Sequence, residues 1–250
     1  MLRLFMSRRR HFQYRKPRFA TSTRPLPRSA WEQSVYYWWW EYLRRHEGYR
    51  KCCERGGRTR TYADLYRSFG NVHATDFQTW WTTPIEGEER GVWLFAEPRP
   101  LLVLRELRTK DEWDANWAAD KVLILAVPLS HSKQQLQRRW VAMLKRRHKG
   151  RPGHQNDRTS AARYPVYSKF TIPALQTVLM VYDLHKSEPG LKLAEIGQRL
   201  RLVKAAMPKK GDQPKDAAAK RNTLNATVGR YLKHAAAIIE NVANGEFPKR

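Results

Sequence analysis

The residues with the most specific chemical vocabulary lie near the C-terminus. Lys192-Leu-Ala-Glu-Ile-Gly-Gln-Arg-Leu, ending at Leu200, has the make-up of the first helix of a helix-turn-helix, where a small residue and an apolar one seat a second helix. That second helix would carry Lys220, Arg221, Asn222, Asn225 and Arg230 in its N-terminal half. Arginine holds phosphates or guanine edges, and asparagine can bind adenine through two hydrogen bonds, so these types suit a helix in the major groove. The connection carries Lys209 and Lys210 and is about a dozen residues long, against the three or four of the usual turn. That length departs from the standard docking geometry, and a plain three-helix bundle with solvated charges is the alternative.

Charge elsewhere is divided unevenly. The chain of 250 residues has a net charge of +25. Residues 129–170 hold eleven Lys/Arg against one acid, and a helix predicted over 132–148 presents Lys133, Arg138, Arg139, Lys145 and Arg146 on its outer face. Such a face can position a protein on phosphates without reading sequence. Residues 1–30 hold nine Lys/Arg, Arg8, Arg9 and Arg10 among them, and no acid. They read as a disordered basic arm, a composition shared with organellar transit peptides. By contrast residues 31–128 are near neutral, with fourteen Lys/Arg, fifteen Asp/Glu and nine of the ten tryptophans. A chain this cationic repels itself when compact, and its positive surface is expected to face a polyanion.

Signals for catalysis are weak. There is no P-loop, no Gly-x-Ser-x-Gly, no His-Glu-x-x-His and no nuclease-like acid cluster. His46, Cys52, Cys53 and His73 lack the paired CxxC spacing of a zinc site and read as structural. Cys52 and Cys53 are adjacent and the only cysteines, so no disulfide framework is expected. Ser130 and His131 have no supporting acid, and Ser132 as a helix cap explains that segment. No cofactor, no metal and no enzymatic activity are expected. The longest apolar run, Val122 to Pro128, is well short of the ~18 residues of a membrane helix.

Periodicity predicts the elements that position these groups. Val35, Trp39, Tyr42, His46, Tyr49 and Cys53 recur at helical spacing, predicting one buried helix from Ala30 to Glu54. Tyr62 to Phe69 predicts a shorter helix stopped by Gly70, and Thr75-x-x-Gln78 a capping box before Phe77, Trp80 and Trp81. Val92–Phe95, Leu101–Leu107 and Val122–Val127 read as strands, and Thr109-x-x-Glu112 caps a helix with Trp113 and Trp117. Ser132-x-x-Gln135 opens the basic helix. Helices are then predicted over 174–186, 193–202 and 216–244, the last with an apolar stripe of Leu224, Val228, Tyr231, Ala235, Ile238 and Val242. The class is α+β: a basic arm (1–30), an aromatic-rich α+β domain (31–150), a basic linker (151–168) and an all-α helix-turn-helix-like domain (169–250).

Several stretches resemble a family of uncharacterised proteins of bacterial plasmids, integrative elements and prophages. They are Tyr37-Trp-Trp-Trp-Glu-Tyr-Leu-Arg-Arg, Phe69-Gly-Asn-Val-His with Phe77 and Trp80-Trp81, and Leu94-Phe-Ala-Glu-Pro. Gly229-Arg-Tyr-Leu-Lys, Ile238-Ile-Glu-Asn-Val and Gly245-Glu-Phe-Pro are similar to the same group. The resemblance covers most of 36–98 and 224–248, implies a mobile element in a bacterial cell, and supplies no catalytic residue. The expected protein is a non-enzymatic, cytoplasmic, nucleoid-associated binder of duplex DNA, a regulator or accessory factor. A binder of single-stranded DNA or RNA, stacking bases on Tyr36 to Trp40 with Tyr36 or Trp40 reaching the surface, is a second expectation. A factor that joins or inhibits a host nucleoprotein complex is a third.

Overall fold

The computed structural model describes residues 11–20, 23, 26–27, 30–97, 123–147, 160 and 162–250. An aromatic-rich N-terminal region of helices with a short β-hairpin precedes an all-helical C-terminal region, so the α+β class holds. The strands, however, are not the predicted ones.

The single helix expected over 30–54 is two: α1, Val35–Arg44, and α2, Glu47–Glu54. The break falls at His46, whose backbone is extended and whose Nδ1 accepts a hydrogen bond from the Tyr49 amide at 2.9 Å. The imidazole satisfies an amide that the first turn of α2 leaves without a partner. Helix α3, Ala63–Phe69, ends as expected at Gly70, which takes φ +64°. Helix α4, Phe77–Thr82, is capped by Asp76 rather than Thr75: one carboxylate oxygen accepts from the Thr79 amide at 3.1 Å and the other from its hydroxyl at 2.8 Å.

Strands β1, Pro84–Ile85, and β2, Glu88–Glu89, pair antiparallel across Glu86 and Gly87. Both turn residues have positive φ, the geometry of a tight two-residue hairpin. Glutamate is disfavoured there, but its carboxylate accepts from Trp93 Nε1 at 2.8 Å, and the Arg163 guanidinium lies 4.0 Å from the Trp93 ring. Residues Val92–Phe95, predicted as a strand, belong to helix α5, Arg90–Phe95. A Cβ on Gly91 would stand 2.0 Å from the Trp81 indole, so glycine lets the α5 backbone lie flat on that ring and turn Leu94 and Phe95 inward. Residues 123–127 form no strand, and Leu123, Ile124 and Val127 are exposed. Val122, the predicted strand 101–107 and the predicted helix with Trp113 and Trp117 lie outside the described residues.

Four more helices follow: α6, Lys133–Arg147; α7, Ile172–Ser187; α8, Leu193–Arg199; and α9, Pro214–Val242. The predicted cap of α6 is present, the Gln135 amide meeting Ser132 Oγ at 3.3 Å and the Ser132 amide meeting Gln135 Oε1 at 3.4 Å.

Contacts divide the chain into two compact units, Phe12–Ala96 with Ala162–Arg250, and Met1–His11 with Glu97–Ala161. These borders differ from the predicted ones, because residues 31–96 and 169–250 share one core. Phe247 is wholly buried with its ring 5.2 Å from Trp39 and 5.4 Å from Tyr42. Tyr164 meets Phe69 edge-on at 4.8 Å, and Tyr42 donates to the Leu175 carbonyl at 2.9 Å. Each ring so buried stabilises by ~2–3 kcal/mol relative to exposure. Nor is all of the N-terminal segment a free arm. Phe12, Tyr14 and Phe19 pack on this core, Phe12 bridges to Ala96, and Ser34 Oγ donates to the Arg15 carbonyl at 2.8 Å. Within the other unit the Glu97 amide donates to the His11 carbonyl at 2.9 Å, and Ser160 Oγ donates to the Glu97 carboxylate at 2.5 Å.

Candidate nucleic-acid interface

Helix α8 is short, and its packing explains its composition. The Glu195 carboxylate reaches back to accept from the Lys192 amide at 3.0 Å, fixing the first turn. Ala194, Ile196 and Gly197 are buried. A Cβ on Gly197 would meet Leu224 at 3.0 Å and Val228 at 3.3 Å, so glycine brings the α8 backbone into close approach with α9. The helix ends in a Schellman arrangement: the Leu202 amide donates to the Gly197 carbonyl and the Arg201 amide to the Gln198 carbonyl, both at 3.0 Å. Arg201 occupies the left-handed position of that motif with φ +48°, where glycine is usual.

The long connection is folded. A 3₁₀ turn, Lys204–Ala206, pushes Ala206 against Ala194 and Leu224, with Val203 and Met207 partly buried beside them. Asp212 then accepts from the Lys209 amide at 2.8 Å and from Lys220 Nζ at 2.6 and 2.7 Å. The Lys220 hydrogen bond, followed by that of the Lys209 amide, holds the Asp212 carboxyl below the usual carboxylate range. Lys220, predicted as a contact for nucleic acid, is therefore engaged in pinning the loop to α9.

Arg221, Asn222, Asn225 and Arg230 are all exposed on α9. At ~100° per residue, Arg221, Asn222 and Asn225 share about a quarter of the helix circumference, while Arg230 lies further round. Lys209 and Lys210 are exposed in the loop. Glu188 is bound by Arg199 at 2.6 Å, Glu195 by its own helix turn, and Asp212 by Lys220. With these three acids engaged and Asp216 exposed in the first turn of α9, Arg201, Lys204, Lys210, Lys215 and Arg221 stand exposed with no carboxylate pairing with them among the described residues. The motif reading passed over Arg201 and Lys204. Leu200-Arg-Leu-Val-Lys carried their positive charge in plain view, but nothing in it marks a left-handed arginine.

Of the other candidates, Lys133, Arg138, Arg139, Lys145 and Arg146 are exposed on α6, and Leu136, Trp140, Met143 and Leu144 are half-buried. That helix belongs to the other compact unit. Arg8, Arg9 and Arg10 lie outside the described residues.

The rings at 36–40 offer no stacking platform. Tyr36, Trp38, Trp39 and Trp40 are buried, and half-buried Tyr37 packs edge-on against Phe77 at 5.2 Å. The expectation that Tyr36 or Trp40 reaches solvent fails because α1 is enclosed by α4, α5 and the C-terminal segment. His46 Nε2 lies 3.5 Å from the Glu240 carboxylate, and burial, only partly opposed by Glu240, lowers its pKa. Cys52 and Cys53 are buried free thiols. Burial pushes the Cys53 thiol up to about 11, leaving it protonated and unreactive at neutral pH. Among the described residues no group of three or more His, Cys, Asp or Glu could hold a metal ion, and no helix is long and apolar enough to cross a membrane.

No protein-family model, curated protein or solved structure matches this chain.

Proposed function

We propose that this chain is a duplex-DNA-binding protein that performs no chemistry on its ligand and docks through α8, the 200–213 connection and the N-terminal half of α9. One observation carries the reading: exposed cations and amides outnumber the acids around them, of which Glu188, Glu195 and Asp212 are already engaged and, among the described residues, Asp216 alone stands open, on a helix seated by the glycine-mediated approach of α8. Arg221, Asn222 and Asn225 would face base edges, while Arg201, Lys204 and Lys210 would hold the backbone. Helix α7 and the C-terminal half of α9 are anchored in the aromatic core, and α8 is packed on them through Ile196 against Val181 and Val228 and Ala194 against Leu224, which supplies the rigidity that groove contacts need. The setting on a bacterial mobile element, as a regulator or accessory factor, rests on the resemblance of residues 36–98 and 224–248.

Fluorescence anisotropy with labelled duplex at several salt concentrations tests the proposal. Neutralising ~6–10 phosphates makes the affinity fall roughly 10³–10⁵-fold between 50 and 200 mM salt. Replacing Asn222 and Asn225 by alanine should narrow the difference between preferred and random duplex while leaving the salt slope unchanged. A flat salt response would reject the reading.

A further inference from the structure

Arg90 is a cation that its surroundings do not account for. It opens α5 directly after β2, and its guanidinium lies over Gly70: a Cβ added there would stand 2.9 Å from Nη1 and 3.0 Å from Cζ. The side chain is partly buried, and Nε is shut off from solvent with no hydrogen-bond partner. Among the described residues no carboxylate pairs with it. Burial depresses its pKa, opposed only by the phenols of Tyr49 and Tyr66. Arg45 shows the contrast, since its fork is filled by a carboxylate through two hydrogen bonds.

The neighbourhood of Tyr66 adds a second unsatisfied group. Gly57 lies against the Tyr66 ring, its notional Cβ 2.3 Å from Cδ1, so the loop after α2 closes on that ring. The loop carries exposed Arg58 and Arg60, and Thr59 Oγ1 is buried without a partner. Tyr49 already donates its hydroxyl proton to the Gly70 carbonyl at 2.7 Å, which leaves it nothing to offer an anion. Guanidinium and hydroxyl donors with empty hydrogen-bonding capacity are unfavourable to bury, and an oxyanion accepting from a guanidinium fork removes that penalty.

We propose that Arg90, held over Gly70 and assisted by Arg58 and Thr59, binds a phosphate oxyanion. The site stands in the part of the chain whose sequence is near neutral and is independent of the docking surface on α8 and α9. The phosphate belongs either to a free ion or to a nucleic-acid backbone, which share the acceptor chemistry and differ in the experiment.

Thermal unfolding of the full chain is followed in sodium phosphate and in sodium chloride at equal ionic strength, for the wild type, Arg90→Met and Arg90→Lys. Phosphate at tenfold excess over its Kd should raise the wild-type Tm by roughly 3–6 °C. Arg90→Met should lose this increment without losing Tm in chloride, since an unpaired charge has been replaced by an apolar stem. Arg90→Lys keeps the charge without the fork and should need at least ~5-fold more phosphate for the same rise. Phosphorus-31 line broadening by wild type, absent in Arg90→Met, reads the same site without unfolding. A parallel series with a short duplex assigns the source: a free ion if phosphate alone separates wild type from Arg90→Met, a backbone if only duplex does. Equal increments in wild type and Arg90→Met under both ligands, or none under either, overturn the proposal.

Discussion

Arg45 grips Asp183 with both arms of its guanidinium: Nε donates to one carboxylate oxygen at 2.7 Å and Nη2 to the other at 2.6 Å. The two residues are 138 positions apart, so the pair ties the end of α1 to α7. Nη1 donates to the Glu41 carbonyl at 2.6 Å and also pairs with the Glu41 carboxylate. Burial would lower the Arg45 pKa, but the hydrogen bonds with Asp183 and Glu41 outweigh it and hold the group above its ordinary value. Because the Asp183 side chain is 46% exposed, the pair belongs between the surface and buried regimes. Asp183→Asn should cost about 1–2 kcal/mol in urea unfolding with an unchanged m value. A cost within error of zero would show that water replaces the carboxylate at no loss.

Arg201 gives opposite signs in two assays. A non-glycine residue in the left-handed region is strained, so Arg201→Gly should stabilise the fold by ~0.5–1 kcal/mol. If the guanidinium holds a backbone phosphate, the same change should weaken duplex binding at 100 mM salt several-fold and shorten the salt slope by about one. Gains in both stability and affinity would remove Arg201 from the interface.

Gly197 tests the seat of α9. A Cβ there already presses on Leu224 and Val228, and valine adds two methyl groups to a space that cannot hold them. Gly197→Val should destabilise by about 1–3 kcal/mol and reduce duplex binding in proportion to the loss of folded α8. Circular dichroism melts and anisotropy on one preparation check the correlation.

The pH dependence follows from His46. Its folded pKa lies below the ordinary value of 6.5, so the unfolded chain binds the proton more readily. The stability contribution is therefore complete above ~6.5 and is lost as pH falls from there toward the folded pKa. The lowered pKa values of His73 and His234 act in the same direction. Tm should drop between pH 7 and pH 5, and His46→Asn, which retains a capping acceptor for the Tyr49 amide, should flatten part of that drop. An identical profile in the variant would shift the effect to the other two histidines.

Phe247 reports whether the C-terminal helices depend on the N-terminal aromatics. Its ring fills the space between Trp39 and Tyr42, and Phe247→Ala should cost ~3–5 kcal/mol. The unfolding transition should stay single, measured by tryptophan fluorescence and far-ultraviolet circular dichroism together. Two separated transitions would restore the predicted division at residues 151–168.

Local features were legible in the sequence where one residue type decides the outcome. Gly70 ends α3, Ser132 and Gln135 open α6, and the stripe from Leu224 to Val242 sets the buried face of α9. Val92–Phe95 was not legible, because a short apolar run fits a strand as well as a buried helical turn, and the arbiter is Gly91 against the distant Trp81. The break at His46 was hidden because the two helices keep their apolar residues in register across it. In the proposed interface, composition located the basic stretch but could not show which cations are already paired, so it named Lys220, which Asp212 holds, and passed over the exposed Arg201. The loop composition of 149–168 marks a connection, yet nothing in it says that the chain beyond returns to the core it left. That knowledge sits in Tyr164 and Phe247, residues with no periodic signature of their own.

The return is made where the departure was. Ala96 is bridged to Phe12, and two residues earlier the Leu94 carbonyl receives the Tyr164 amide at 3.1 Å. The two stretches of the aromatic unit, 12–96 and 162–250, thus lie side by side where one stops and the other begins. A short linker from Ala96 to Ala162 would therefore close that unit without disturbing a ring contact, which offers an engineer a smaller version of the aromatic fold.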